Sequence, residues 1–337
     1  MGTKDDITKL FIEKNRIFAD IFNFYVYNGE QVIRPDSLQN FDTSEIALTH
    51  KLGDDKVSIK KYRDIIKLWT VKFDGNAAYA LLAIENQSEI HYAMPVRIML
   101  YDAIRYINQV KSIADSNIKN KRLHSSEEYL SGLLKTDKII PVITLVVNLS
   151  GKRWSAPKNL YQMFPSGIDK RFLKYVKNYE INLLDPIAIG KQRFDHFLTE
   201  IREVLIYLKF SEDKTKLYKA IKSDSRFEHV PNEAINLINV LTGSKLKIEE
   251  TKETSNMCSA IEGLIEDGRN EGLKEGKKEG LKEGRKEGRK EGRKEGELTF
   301  AYKMLKKGRM TLDEIAKDIG MSIDELLVSF KQYNLSL

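Results

Sequence analysis

Asp64, Glu85 and Gln87 lie in two stretches of the sequence that are rich in apolar residues. Residues 62–73 (YRDIIKLWTVKF) contain Asp64, and residues 77–87 (AAYALLAIENQ) end with Glu85 and Gln87. Both stretches are rich in aliphatic and aromatic residues, a composition that favours β-strands. Polar groups in buried strands need partners, so these three residues are the first candidates for chemistry.

The segment between the two stretches is typical of a β-hairpin turn. Asp74 and Gly75 are followed by an asparagine, and Gly and Asn tolerate the positive φ that tight turns require. With Asp74 and Gly75 as a two-residue loop, the register brings Asp64 directly opposite Glu85. Gln87 lies two residues beyond Glu85 and therefore points to the same face. A loop one residue longer would shift this register, so the pairing is a hypothesis.

In this register Asp64 and Glu85 form a pair of facing carboxylates. Their Cβ atoms would be about 5 Å apart, and carboxylates this close repel each other unless a cation or proton lies between them. Mg²⁺ suits such a pair because it takes hard oxygen ligands and keeps several waters; Mn²⁺ is the alternative. A metal held there activates water and stabilises charge on a phosphate, which is the chemistry of phosphodiester hydrolysis. The competing interpretation is a pair of solvated charges on edge strands.

The wider segment around these residues is similar to a known family. Residues 62–110 contain Arg63-Asp64, Glu85-Asn86-Gln87 and Met94-Pro95-Val96-Arg97 in the order found in the recombination-promoting nuclease family, also described as "putative transposases". The similarity continues through FADIFNF (18–24), KIIPVITLVV (138–147), the NLLDP turn (182–186), MCSAIEGL (257–264) and a glycine-rich tail. The resemblance implies a PD-(D/E)XK, restriction-endonuclease-like core.

The same resemblance assigns roles to individual residues. It implies that Asp64 and Glu85 are metal ligands and that Gln87 positions the attacking water. Gln87 stands where most PD-(D/E)XK enzymes have lysine; glutamine can orient water but carries no charge for the transition state. Arg97 is a candidate for the missing cation, or else a surface or phosphate-contacting residue. Asp20 is an auxiliary candidate that would assist the metal, or else an exposed helix charge.

Helix and strand patterns place these residues in an α/β fold. Apolar residues recur at helical spacing over 6–27, and Asn28-Gly29 ends that helix. A short strand is expected at 45–48, and a fully apolar strand at 139–149 favours parallel pairing inside a covered sheet. A helix begins near Pro95, with an apolar face of Val96, Met99, Leu100, Ala103, Ile104 and Ile107. A hairpin followed by a strand–helix–strand crossover makes a mixed sheet flanked by helices.

Composition divides the chain into four segments. A nuclease core is assigned to residues 1–160, a helical extension to 161–266, a repeat linker to 267–297 and a small C-terminal helical element to 298–337. In the charged repeat, of the form EGxK, glycine recurs every fourth residue. Each glycine costs roughly 1 kcal/mol relative to alanine in a helix, which favours a flexible or only transiently helical linker. The alternative is helical self-association along the glycine stripe.

Two capping boxes predict a pair of short helices near the C-terminus. They combine Thr311 with Glu314 and Ser322 with Glu325. The outline is that of a helix-turn-helix, but residues 311–331 carry five acidic and two basic side chains. A helix that reads DNA needs cations against the phosphates. The pair is therefore interpreted as a docking or dimerisation element, which makes a homo-oligomer through the C-terminal region a candidate assembly.

Overall composition narrows the class of protein. The net charge of +7 permits a polyanionic partner such as DNA. The single cysteine, Cys258, cannot form an internal disulfide, and no apolar run reaches the roughly 20 residues of a membrane helix. A cytoplasmic protein without membrane contact is therefore expected. The histidines lack metal-ligand spacing, and neither a P-loop nor a nucleophile elbow is present, which disfavours nucleoside triphosphatases and serine hydrolases.

These patterns together predict a cytoplasmic, Mg²⁺-dependent DNA endonuclease, and the resemblance adds a role in promoting recombination. The competing hypothesis is a catalytically weak or inactive nuclease fold that acts as a DNA-binding or oligomeric interaction protein. The presence of Asp64, Glu85 and Gln87 together favours the enzyme. A strand-transferring transposase is disfavoured because the acidic residues cluster in one hairpin and no separate sequence-specific DNA-binding domain is recognisable.

Overall fold

The computed structural model describes residues 3–41, 48–52, 55–59, 65–73 and 76–335. The helices are α1 (Thr3–Ile12), α2 (Asn15–Tyr27), α3 (Met94–Lys119), α4 (Ser126–Ser131), α5 (Lys170–Leu173), α6 (Ile201–Phe210), α7 (Lys214–Lys222), α8 (Asn232–Thr242), α9 (Met257–Lys306), α10 (Leu312–Ile319) and α11 (Ile323–Gln332). The strands are β1 (Leu38–Asn40), β2 (Leu48–Leu52), β3 (Asp55–Ile59), β4 (Ile65–Phe73), β5 (Asn76–Gln87), β6 (Val142–Asn148), β7 (Asn182–Leu184), β8 (Val230–Pro231) and β9 (Thr254–Ser255).

Within the described residues, five strands form one mixed sheet in the order β1-β4-β5-β6-β7. β4 pairs antiparallel with β1 and with β5, whereas β5, β6 and β7 run parallel. The connection from β5 to β6 contains α3, because parallel neighbours need a long crossover. The mixed α/β sheet flanked by helices that the sequence predicts is confirmed.

The β4–β5 hairpin has the register expected from a two-residue loop. Phe73 pairs with Asn76 next to the turn, and Ile65 pairs with Ile84 at the far end of the described ladder. The loop itself, residues 74–75, lies outside the described residues. The predicted register is therefore confirmed over the whole described length of β4.

The first predicted helix needs correction in its middle but not at its end. The span 6–27 forms two helices, α1 and α2, because the backbone is extended at Lys14. The break allows both Ile12 and Ile17 to be fully buried, although five helical positions would place them on different sides of one helix. The end is confirmed: Asn28 adopts a left-handed conformation with φ 53°.

Two further antiparallel ladders, β2 with β3 and β8 with β9, lie apart from the main sheet and are not expected from the sequence. The strand predicted at 45–48 falls outside the described residues, apart from Leu48, where β2 begins. β6 is shorter than the predicted strand at 139–149 because it starts after Pro141, which has no N–H for the ladder.

α2 and α3 cover opposite faces of the main sheet. Successive residues of β5 point to alternate faces. Leu82 and Ile84 belong to a large core with Phe18 and Phe22 of α2. Val146 of β6 points the other way and packs with buried residues of α3. Glu85 of β5 is in register with Val146 and therefore lies beneath α3.

The apolar face predicted for α3 is wrong. Of the six predicted residues, all of which the structure describes, Ile104 is the buried one, whereas Val96, Met99 and Ile107 are exposed. The residues that are buried on α3 are Met94, Pro95, Ile98, Tyr101, Asp102, Ile104, Arg105 and Asn117. α3 carries apolar residues on two sides, and a periodic pattern gives the spacing of a face without saying which face meets the sheet.

Contacts divide the chain into two units, residues 1–264 and 265–337. The main sheet and the large core belong to the first unit. That core continues past residue 160, since Leu184 of β7 and Phe194 share one apolar cluster with Leu145. β7 thus adds a strand from residues that the sequence predicts to form a turn within the helical extension. The sequence pattern missed it because β7 has only three residues.

The charged glycine repeat lies in one continuous helix, α9, where the sequence favours a flexible or only transiently helical linker. Residues 268–296 are exposed, and a Cβ added at any glycine between Gly268 and Gly296 would meet nothing within 4 Å. Acidic and basic residues recur at helical spacing, as in the ion pair of Arg293 with Glu297 at 2.8 Å. Such pairs offset part of the helix propensity that glycine lacks.

The second unit contains the two capping boxes predicted near the C-terminus, and both are confirmed. The side chains of Thr311 and Ser322 accept hydrogen bonds from the N–H groups of Glu314 and Glu325, whose carboxylates bond back to the caps. These hydrogen bonds lower the pKa of both carboxyl groups. α10 and α11 pack against the end of α9 around Phe330. In the part of the chain that the structure describes, no helix has the length and apolarity to cross a membrane.

Candidate active site

Glu85 is a fully buried carboxylate close to the carboxyl end of β5. Its exposed fraction is 0%, so the interpretation as a solvated edge charge is wrong for this residue. It pairs with Val146 of the parallel neighbour and therefore lies beneath α3. Burying a carboxylate costs several kcal/mol unless it is paired with a cation and hydrogen bonded. The position therefore calls for positive charge nearby.

Arg97 supplies positive charge next to Glu85. α3 begins at Met94, and Pro95 occupies its first turn, where the missing N–H of proline leaves no hydrogen bond unmade. Nη2 of Arg97 lies 3.2 Å from Oε2 of Glu85. The Arg97 side chain is 27% exposed, so its guanidinium lies between a buried carboxylate and the solvent. The structure thus brings together two candidates that lie on different elements.

Gln87 is the last residue of β5 and is 7% exposed. Its Nε2 donates to the backbone carbonyl of Asn86 at 3.0 Å. Its Oε1 accepts no hydrogen bond from any described residue and remains available as an acceptor. Asn148, its register partner on β6, is engaged elsewhere because it donates to Asp185 at 3.0 Å. Gln87 therefore presents an oxygen acceptor on the same face as Glu85.

Gln87 and Arg97 line a cavity of about 250 Å³. The rest of its wall comes from α1 and from the segment that joins β5 to α3, and comprises Asp5, Asp6, Lys9, Asn86, Ser88, Glu89, Ile90 and His91. The hydroxyl of Ser88 donates to Asp5 at 3.4 Å, which connects the two walls. A cavity of this size holds several waters at liquid density, at about 30 Å³ each.

The donor chemistry at this end of β5 fits Mg²⁺. Asp64 lies outside the described residues, directly before Ile65. The described residues contain no group of three or more His, Cys, Asp and Glu side chains that could hold a metal ion. They do supply one carboxylate at this position, Glu85, and the amide oxygen of Gln87. Both are hard oxygen donors, and Mg²⁺ is usually held by one or two carboxylates together with several waters.

Residues 56–226, about half of the chain, match the family described as "Putative transposase, YhgA-like". The chain belongs to this family. Comparisons with curated proteins and with solved structures gave no significant match. The segment that matches the family contains Asp64, Glu85, Gln87 and Arg97, whereas Asp20 lies before it.

Asp20 lies apart from the other candidates that the structure describes, which are Glu85, Gln87 and Arg97. It lies on α2, which covers the opposite face of the sheet from Glu85, and it is 2% exposed, so it is not an exposed helix charge. Its carboxylate accepts hydrogen bonds from the N–H groups of Leu198 and Thr199 and from the Thr199 hydroxyl, at 2.6 to 3.1 Å. These hydrogen bonds hold α2 against residues 198–199, which lie just before α6.

Two parts of the site were not predicted from the sequence. The hydroxyl of Tyr101 accepts a hydrogen bond from Nε of Arg97 at 3.0 Å, and i,i+4 spacing on a helix was a signal that could have revealed it. The α1 wall of the cavity had no such signal. Asp5 and Ser88 are 83 positions apart, and no local pattern joins residues at that separation.

Proposed function

We propose that this protein is a metal-dependent DNA endonuclease with a PD-(D/E)XK core, which hydrolyses phosphodiester bonds and thereby promotes DNA recombination. Family membership associates the chain with transposition, and the proposal narrows that association to hydrolysis. The observation that carries it is the fully buried carboxylate of Glu85, 3.2 Å from Arg97, on the face where Gln87 lines an open cavity.

In this proposal Asp64 and Glu85 hold the divalent cation, Mg²⁺ or Mn²⁺. The described register supports their pairing, since Ile65 is opposite Ile84 and the proposal continues the ladder by one residue on each strand. A bound divalent cation supplies Lewis acidity, which makes water a better nucleophile near neutral pH and neutralises charge on a phosphate. The buried position of Glu85 strengthens its interaction with any cation, because water screens the charge less there.

Gln87 positions the attacking water in this proposal. Its Oε1 has no competing donor among the described residues, and the residue lines the cavity. The bond from Nε2 to the Asn86 carbonyl fixes which way the amide faces. Glutamine does not ionise near neutral pH, so Gln87 orients the water without accepting its proton.

Arg97 supplies the positive charge that Gln87 lacks. As water adds to phosphorus and one ester bond breaks, negative charge builds up on the phosphate oxygens, and a guanidinium stabilises it. Arg97 lines the cavity and is partly exposed, so a phosphate can reach it. Its ion pair with Glu85 neutralises the buried carboxylate on one side while leaving the guanidinium at the surface of the cavity.

Cleavage of supercoiled plasmid DNA by the 337-residue chain tests the proposal. Wild type is expected to nick or linearise the plasmid with Mg²⁺ or Mn²⁺ and to be inactive in EDTA. Glu85→Gln and Asp64→Asn each keep the side-chain shape and remove one negative charge. Each should lower the cleavage rate on the order of a hundredfold or more, as loss of charge stabilisation in an active site does.

Glu200→Gln is the matched control. Glu200 is also a buried carboxylate paired with an arginine, Arg16, but it lies on the α2 side of the sheet. The Glu200→Gln variant should cleave plasmid DNA at the wild-type rate per folded molecule. Wild-type protein that binds DNA without cleaving it in any divalent cation would contradict the proposal and favour an interaction protein on the same fold. Cleavage that survives both Glu85→Gln and Asp64→Asn would place the active site elsewhere.

A further inference from the structure

Tyr101 makes two different contacts with the guanidinium of Arg97. It lies one helical turn further along α3, where i and i+4 side chains meet. Its hydroxyl accepts a hydrogen bond from Nε of Arg97 at 3.0 Å. Cζ of Arg97 also lies 5.5 Å from the centroid of the Tyr101 ring, within the range of a cation–π contact. The hydrogen bond orients the guanidinium, and the ring contact adds a second attraction to the same side chain.

Tyr101 itself is held firmly in place. It is 2% exposed and packs in one cluster with Met94, Ile98 and Val146. Val146 is the register partner of Glu85, so the ring of Tyr101 is packed against the strand next to the candidate metal ligand. A buried ring in a packed cluster has one rotamer, whereas a free arginine side chain has many.

Arg97 needs such a support to act on a phosphate. Ordering a free arginine side chain costs up to about 2 kcal/mol in rotamer entropy. Its ion pair with Glu85 has an Nη2–Oε2 distance of 3.2 Å, and a divalent cation on Glu85 would attract the same carboxylate. The hydrogen bond from Arg97 to the Tyr101 hydroxyl does not involve the Glu85 carboxylate. It can therefore persist when a cation binds that carboxylate.

We propose that Tyr101 is a positioning residue, which holds the Arg97 guanidinium at the cavity beside Glu85 so that it meets the phosphate undergoing hydrolysis. The inference rests on the proposed nuclease function and adds a residue to it. Tyr101 acts through Arg97 and does not touch the substrate.

Tyr101→Phe is the decisive variant, because it removes the hydroxyl and keeps the ring. Because the variant loses a hydrogen bond to a charged group, its kcat should fall about tenfold, while its KM for DNA should stay nearly unchanged. In an Arg97→Met background the same change should have no further effect, because the residue that Tyr101 positions is gone. Tyr106→Phe is the matched control: its hydroxyl, also on α3, accepts from the N–H of Val142 at 3.1 Å, at the start of β6.

A second measurement does not depend on catalysis. In the protein labelled with ¹⁵N-arginine, hydrogen exchange at Nε–H of Arg97, identified by its loss in Arg97→Lys, should be slow in wild type. Exchange should become faster in Tyr101→Phe and stay slow in Tyr106→Phe. Unchanged exchange, a wild-type kcat, or equal losses of kcat in both tyrosine variants would overturn the inference. Absence of cleavage by wild type would overturn the nuclease proposal, and Arg97 exchange would then decide the positioning contact by itself.

Discussion

Lys67 shows at the scale of a residue how burial changes chemistry. It lies on β4 and is 1% exposed. Its Nζ donates to the side-chain oxygen of Asn40 and lies 5.5 Å from the centroid of the Phe18 ring. Burial lowers the pKa of Lys67 below its usual value of 10.5, and the charge of Glu13 raises it by a smaller amount. The folded state therefore holds this ammonium group at a cost in stability.

Lys67→Met should raise the free energy of unfolding at pH 7 by about 1 kcal/mol, because methionine fills a similar volume without a charge to desolvate. In wild type the lowered pKa means that the unfolded chain binds more protons, so stability should rise with pH from the folded pKa up to about 10.5. The variant should lose that rise. Chemical denaturation between pH 7 and 10 measures both effects.

Lys219→Met, at an exposed position of α7, is the control for Lys67 and should leave both stability and its pH dependence unchanged. Equal stability of Lys67→Met and wild type at every pH would contradict the reasoning. Asn40 is exposed and can exchange its lost donor for water, so it adds little to the expected difference.

Asp20→Ala separates a structural role from a metal-binding role. It leaves the N–H groups of Leu198 and Thr199 without their acceptor, and removal of a buried acceptor of this kind costs about 1 to 3 kcal/mol. Thermal denaturation should show the loss, and Mg²⁺ affinity measured by calorimetry should stay at the wild-type value. Unchanged stability together with weakened metal binding would restore the auxiliary role.

At the scale of an element, the end of α2 depends on a backbone conformation that side chains rarely adopt. Gly29 follows the left-handed Asn28 and has φ +96°. A Cβ at Gly29 would lie 2.7 Å from Cβ of His196 and 2.9 Å from its carbonyl oxygen. Both the dihedral angle and the space therefore require glycine.

Gly29→Ala should lower the free energy of unfolding by more than about 1 kcal/mol, because strain at positive φ adds to the clash with His196. Gly190→Ala is the control, since Gly190 has φ −64° and a Cβ there would meet nothing within 4 Å. Urea denaturation of both variants measures the difference. Similar stability of the two variants would show that the turn adapts at little cost.

At the scale of the whole molecule, α9 is the element that passes from the first unit into the second. Its repeat is exposed, and the glycines of the repeat lower the stability of the helix. A Cβ added at any of them would contact no other residue that the structure describes. The helix is therefore expected to open locally within this segment more readily than within the packed core.

Replacing Gly280, Gly284 and Gly288 with alanine should stabilise the repeat, since each change contributes roughly 1 kcal/mol to a helix and meets no neighbour. Hydrogen exchange of residues 276–292 should become slower, while exchange in the main sheet stays the same. Light scattering supplies the second readout. A wild-type oligomer that the substitutions dissociate would show that the glycines instead allow close packing between helices.

Much of the local structure was determined by the sequence itself. The hairpin register, the end of α2 and both capping boxes follow from residues within a few positions of one another, where turn and cap chemistry has few solutions. Glu85, Gln87 and Arg97 could be selected as candidates by residue type and by resemblance. Their roles remain proposals, and Asp64 lies outside the described residues.

Only the tertiary structure decided which side of α3 meets the sheet, that β7 completes it, and that Asp20 lies across the sheet from Glu85. It also decided that Tyr101 supports Arg97 and that Lys67 is buried. The physical reason is the same in each case. A local pattern fixes the spacing of residues along an element, whereas contacts between distant segments depend on how whole elements pack, and no short stretch of sequence encodes that.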